Sequence, residues 1–268
     1  MKIIFFDGGM LFEINKKYSD YGQNAVLYDQ ELIKNLHKGY SKMGCNFITT
    51  CNYCFTPKKM DNWIELTEIS INLIQECGGK IFGSVPPLFK SYKIEVLDDD
   101  FYYYYNKLID ILINKVDFYL LETCVDYNQV NEIIKIIKKK DMNSKIIVSI
   151  YPNEENSKNI DNYLNLDIKG LFINCCSFKD MINFYNLNLK SKDFKNKKFG
   201  FYCNKIDEKK YSKELNIEKL QDFYDKKIDN ISEIKQFLKT LPFDEIYIGG
   251  CCGYGIDEMK KLINNLKN

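Results

Sequence analysis

Arginine is missing from this chain: all 38 basic residues are lysine, set against 37 acidic ones for a net charge of +1. The side chain best shaped for two-pronged contacts to phosphate or guanine is therefore absent, and a near-neutral charge gives a polyanion little to follow. Nucleic acid is not an expected partner. The lysine runs Lys138 to Lys140 and Lys195 to Lys198 sit among acidic residues elsewhere in the chain and read as solvated faces. Histidine is almost absent too. The one copy, His37, falls in the apolar-periodic stretch Leu32, Ile33, Leu36, Tyr40, which makes it a helix residue rather than a ligand. Any zinc site must then rely on sulfur or carboxylate. Long apolar runs are lacking as well, and the opening MKIIFFDGG meets Asp7 and two glycines too soon for a signal peptide. The expectation is a cytoplasmic protein with no membrane partner.

What is present is a core. Hydrophobic residues make up 45% of the 268 positions and charged ones 28%, the balance of an ordinary folded domain. The ten cysteines do not suggest a disulfide scaffold, which belongs to short exported chains, so reduced thiols are expected.

Period and punctuation alternate short β-rich runs with longer helical patterns. The strands read as Ile3–Phe6, Phe47–Thr50, Lys80–Gly83, Asp117–Leu121, Lys145–Val148, Gly170–Ile173, Phe199–Tyr202 and Glu245–Ile248. Helices read as Asp29–Met43, Asp61–Glu76, Asp98–Asn114, Asn128–Lys139, a weak one at Ile160–Leu164, Ile231–Leu238 and Asp257–Leu266. Eight such alternations in about 250 residues match a single-domain (β/α)8 TIM barrel. An open dinucleotide-binding sheet would need a Gly-x-Gly-x-x-Gly turn after the first strand, where this chain has DGGMLF. The lysine-rich stretch Lys190 to Lys227 reads as loop decoration on the barrel.

In such a barrel the loops after the strands share one rim, where catalytic groups gather. Here that rim collects Asp7, Thr49, Thr50, Ser84, Glu122, Ser149, Asn174, Cys175, Asn204, Cys251 and Cys252. The adjacent thiols Cys251 and Cys252 are too close in sequence for an ordinary disulfide, yet one metal ion can draw both inward. The competing reading makes them small buried hydrophobes capping a strand. With neighbouring strands about 4.8 Å apart, Cys175 after the sixth strand and the pair after the eighth can meet at one ion, leaving the open position of a catalytic zinc. Cys176 is assigned to packing because Cys175 directly follows the strand end, and Cys45, Cys51, Cys54, Cys77, Cys124 and Cys203 to buried or incidental thiols.

DGGM at Asp7 to Met10, LHKGYSKMGCNFITTCNY at Leu36 to Tyr53, LLET at Leu120 to Thr123, INC at Ile173 to Cys175 and IGGCCG at Ile248 to Gly253 resemble, in family order, the zinc-dependent homocysteine S-methyltransferases. That resemblance implies zinc (Zn2+) on Cys175, Cys251 and Cys252. It also implies that Asp7, Gly8, Thr49 and Glu122 hold the amino acid end of homocysteine, with Tyr53 at the substrate site. The sequence departs from the family pattern at Leu11 and Phe12, at GSVPPL from Gly83 to Leu88, and at Cys203, where proline is frequent.

The expected function is methyl transfer to homocysteine in methionine biosynthesis, from S-methylmethionine or S-adenosylmethionine before betaine. A catalytically inactive zinc-binding barrel with a regulatory role and a selenocysteine methyltransferase are the alternatives. Homocysteine assayed against a panel of methyl donors separates them.

Overall fold

A computed structural model describes residues 1–205 and 231–267. Eight parallel strands run β1 (Lys2–Phe5), β2 (Phe47–Thr49), β3 (Lys80–Val85), β4 (Phe118–Cys124), β5 (Ile146–Ile150), β6 (Gly170–Asn174), β7 (Lys198–Cys203) and β8 (Glu245–Gly250), in spatial order 1-8-7-6-5-4-3-2. The seam between β1 and β2 is closed by a parallel bridge from Phe6 to Phe47, by the Asn46 N–H donating to the Phe5 carbonyl at 2.6 Å, and by the Phe5 N–H donating to Asn46 Oδ1. The result is a (β/α)8 barrel.

Among the described residues, helices α1 (Met10–Ile14), α2 (Gln23–Tyr28), α3 (Gln30–Lys42), α4 (Trp63–Gln75), α5 (Asp99–Leu112), α6 (Tyr127–Lys140), α7 (Glu154–Lys158), α8 (Ile160–Asn165), α9 (Phe178–Phe184), α10 (Ile231–Thr240) and α11 (Ile256–Lys267) lie between and after the strands. Their starts follow capping chemistry: Asp98 accepts from the Phe101 N–H at α5, Asp126 from Gln129 at α6 and Ser177 from Asp180 at α9. The four-tyrosine run in α5 divides by helical face, with Tyr104 and Tyr105 buried and Tyr102 and Tyr103 exposed.

Two apolar bodies result. One lies between sheet and helices. The other fills the barrel with Ile4, Phe6, Phe47, Phe82, Leu120, Ile147, Phe172, Tyr202 and Tyr247. Phe47 stacks on Phe82 at 4.4 Å, and Phe6 occupies the space left open by Gly249, where a Cβ would sit 2.4 Å from the ring. One end of this stack is covered by lysines, with Lys80 over Phe47, Lys145 over Phe118 and Lys198 over Tyr247. The opposite end is left for chemistry.

Several strands outrun their sequence boundaries. Gly249 looks like a stop signal but lies inside β8, and β3 runs on past Gly83, its expected last residue. Both glycines are needed there for close packing, since a Cβ on Gly83 would meet Val116 at 2.9 Å. Helices α1, α2, α7 and α9, with the π-helical turn Tyr185–Leu189 that follows α9, have no counterpart in the periodic reading. Each is short or mixes its apolar residues with asparagine and lysine, which blurs the repeat. Of the Lys190 to Lys227 stretch, residues 206–227 lie outside the described residues.

His37 is a helix residue, on α3, fully buried with no hydrogen-bond partner for either ring nitrogen among the described residues. Burial pushes its pKa down from 6.5 to about 3. A depressed histidine contributes stability above its unfolded pKa that is lost as pH falls toward the folded one. His37→Leu removes the unpaired polar atoms. It should stabilise the fold by about 1–2 kcal/mol and flatten the loss of stability between pH 6.5 and about 3, both read by thermal unfolding across pH.

Candidate active site

The rim is a consequence of the two-residue repeat of a strand. Moving two positions on from the interior residues Phe47, Phe82, Leu120, Ile147 and Phe172 gives Thr49, Ser84, Glu122, Ser149 and Asn174. The apolar stack thus carries a polar layer, and this layer is connected. Glu122 accepts from Ser84 Oγ on one oxygen and from the Tyr202 hydroxyl on the other, at 3.2 Å. Asn174 accepts from Ser149 and donates to Thr123 Oγ1 at 3.0 Å, while Tyr53 donates to the same Thr123 oxygen and is paired with Ser91. Asp7 takes both the N–H and the hydroxyl of Thr49 at 2.7 Å.

These partners hold two carboxyl groups that burial strongly disfavours as anions. Burial raises Asp7 to about 7 despite the two Thr49 hydrogen bonds, and it raises Glu122 to about 7 despite Ser84 and Tyr202. Neither has an ion-pair partner among the described residues. A bound ammonium would supply the missing positive charge.

Above the same layer, Cys175, Cys251 and Cys252 bring their sulfurs within 4.8 Å of one another. Cys175 reaches them because its backbone is left-handed, at φ 58°. That conformation costs on the order of 1–2 kcal/mol in a residue with a Cβ, and it turns Cys175 to the cavity while Cys176 enters the core at 1% exposure. Asn204 donates to the Cys175 carbonyl, and the Cys251 N–H donates to the Cys203 carbonyl. Gly8 and Gly9 complete the cradle. A Cβ on Gly8 would sit 2.2 Å from the Tyr254 carbonyl oxygen, so only glycine lets the first loop lie against the turn carrying Cys251 and Cys252.

The thiols share protons unequally. Hydrogen bonds from Cys251 and Cys252, with a further one from the Tyr92 hydroxyl at 2.8 Å, hold Cys175 well below the usual thiol range. Cys251 and Cys252 are pushed well above it by their contact with that same sulfur. A divalent ion held among the three would stabilise all of them as thiolates. Zn–S bonds of about 2.3 Å in a tetrahedron separate sulfurs by about 3.8 Å, within the observed spread. The donor set fits zinc.

All eight residues singled out for the site, Asp7, Gly8, Thr49, Tyr53, Glu122, Cys175, Cys251 and Cys252, line one cavity. Ser84, Ser149 and Asn174 do not line it but lie beneath, bonding to the residues that do. Cys51 and Cys54, read as buried or incidental thiols, line this cavity as well, Cys54 as a buried residue.

The chain matches the profile of homocysteine S-methyltransferases over residues 4–266. It belongs to the homocysteine S-methyltransferase family. Membership makes it a methyltransferase whose acceptor is homocysteine and whose second substrate is a methyl donor. A comparison with curated protein sequences found no match. Among solved structures, the metallated form of the Escherichia coli homocysteine methyltransferase MmuM is similar at TM-score 0.72 and 14% identity, covering 98% of this chain and 96% of that one. Its oxidized form gives 0.71 and 16%, covering 100% and 96%. A type I 3-dehydroquinate dehydratase from Clostridium difficile gives 0.52 and 11%, covering 99% and 91%. At these identities the likeness is one of fold.

For this homocysteine S-methyltransferase, sequence reasoning missed Tyr92, Tyr202, Lys59 and Tyr21, all of which line the cavity. Tyr202 was detectable, since it ends an inward-facing alternation on β7. Tyr92, at φ 69°, and Tyr21, at φ 60°, sit in loops without periodicity and gave no signal. Of the departures, Leu11 and Phe12 line the cavity, whereas Cys203 packs into the core, its thiol bonded to Cys176 and its carbonyl accepting from the Cys251 N–H.

Proposed function

We propose that Cys175, Cys251 and Cys252 hold one zinc ion and that the chain methylates homocysteine from a sulfonium or quaternary ammonium donor. S-methylmethionine or S-adenosylmethionine is favoured over betaine. The observation that carries this reading is the convergence of three sulfurs and two cation-seeking carboxyl groups on one cavity. Zinc, when bound, supplies an electrophilic position that favours the thiolate of homocysteine, a thiol mostly protonated at neutral pH.

The chain's own residues do the rest. Asp7 and Glu122 receive the substrate ammonium by charge-assisted hydrogen bonds, each held in place by the hydroxyls that bond it. Cys175 and Glu122 line the same cavity, so the sulfur end and the amine end of one substrate face a common space. Aromatic faces of Tyr53, Tyr92 and Tyr21 line the same space and attract the cationic donor. In the transfer, the homocysteine sulfur lone pair forms the new S–CH3 bond as the donor's bond to that methyl breaks. The bonding pair stays on the donor heteroatom, giving methionine and a neutral leaving group.

The test is zinc content together with methionine formation across the donor panel. Near-stoichiometric zinc with turnover from a sulfonium is the expected result. Zinc without methionine from any donor contradicts the reading.

A pH dependence follows from the carboxyl pair. Asp7 and Glu122 are protonated below about 7, so binding an ammonium there must release a proton at lower pH. The product methionine has no titrating thiol and isolates this effect. Its inhibition should weaken about tenfold from pH 8 to pH 6, whereas a flat profile would remove the pair from amine binding.

A further inference from the structure

Among the described residues, the cavity that holds the thiols and carboxyl groups is lined by one ammonium, Lys59. Lys59 follows β2, half-buried, in a turn closed by its own N–H donating to the Thr56 carbonyl at 2.9 Å. Its Nζ lies 5.7 Å from the ring centroid of Tyr21, which reaches over from the segment between α1 and α2. Among the described residues it has no ion-pair partner, unlike Lys58 beside it, which pairs with Asp100. Its field reaches into the site. Burial raises the Cys54 thiol, which lines the same cavity, and the Lys59 charge opposes that rise.

A half-buried ammonium facing a substrate cavity with no protein anion calls for an anionic group on a ligand. The acceptor's amine is accounted for by Asp7 and Glu122, on the inner polar layer. Lys59 and Tyr21 come from the loops after β2 and β1, where the Tyr21 ring lies against the Lys59 ammonium and lines the same cavity. Resting on the methyl-transfer reading above, we infer that Lys59 binds the carboxylate of the methyl donor. Lys59 and Tyr21 together then form a subsite for a zwitterion, carboxylate on the ammonium and onium centre toward the rings. This selects amino-acid-type onium donors over simple sulfonium ions. The three donors proposed above all carry such a carboxylate.

The experiment titrates zinc-loaded protein, without homocysteine, with S-methylmethionine and with its carboxamide, in the wild type, Lys59→Met and Lys59→Arg. The acid should bind the wild type at least tenfold more tightly than the amide. Lys59→Met should erase that preference by weakening the acid alone, and Lys59→Arg should keep it. In steady state Lys59→Met should raise the donor KM by a similar factor and leave the homocysteine KM and zinc content unchanged. Equal binding of acid and amide by the wild type overturns the proposal. So does a Lys59→Met effect on the homocysteine KM, which would assign the lysine to the acceptor's carboxylate. The titration needs no turnover, so a wild type that forms no methionine contradicts the functional reading while the acid-to-amide preference still decides this one.

Discussion

Cys251→Ser should reduce bound zinc below one-tenth of stoichiometric and methionine formation by about 10³-fold or more, the scale expected for losing metal stabilisation worth several kcal/mol. Cys251 is one of the three sulfurs within 4.8 Å of one another, it is only half-buried, and serine nearly preserves its volume. The circular dichroism spectrum should therefore be unchanged. Cys176→Ser supplies the contrast. That thiol is adjacent to a proposed ligand in sequence but packed in the core, so its replacement should cost about 1 kcal/mol of stability and leave zinc stoichiometric. Metal analysis by mass spectrometry beside thermal unfolding separates the two. Equal zinc retention in both variants would remove the thiol cluster as the metal site.

The second large effect is at the amine end. Glu122→Gln keeps the shape and can still bond Ser84 and Tyr202, but it removes the charge that a buried ammonium needs. Deleting one partner of a desolvated charge pair costs about 2–5 kcal/mol. The loss in kcat/KM should therefore be about 10² or more, carried mainly by the homocysteine KM with the donor KM unmoved. Because Asp7 raises Glu122 through charge repulsion, the same substitution should lower the pKa of Asp7 and shift the pH profile of methionine inhibition downward. An unchanged homocysteine KM with a depressed kcat would assign Glu122 to the reacting centre rather than to binding.

These effects concern residues that the sequence made visible, for a physical reason. Strands two-faced in burial and separated by helical repeats leave few architectures, and in a barrel the strand ends converge whatever the loops do. Asp7, Glu122 and Cys175 could thus be placed near one another before their contacts were known. The Cys175 and Cys176 choice needed more than alternation, because the left-handed turn at Cys175 overrides it. Glycines misled in the opposite direction. Gly83 and Gly249 serve packing inside strands, and a single sequence does not distinguish that use from a turn. Tyr21, Lys59 and Tyr92 were illegible as cavity residues because they come from aperiodic connections, whose course is set by tertiary contacts.

The central claim is that three cysteines from the sixth and eighth strand ends hold a zinc with one position open to the substrate thiol. X-ray absorption at the zinc edge tests it most directly, recorded with and without homocysteine. The account predicts three sulfur scatterers at about 2.3 Å in the protein alone and four once homocysteine is added. A shell dominated by nitrogen or oxygen, or a sulfur count that does not change on adding homocysteine, would contradict it.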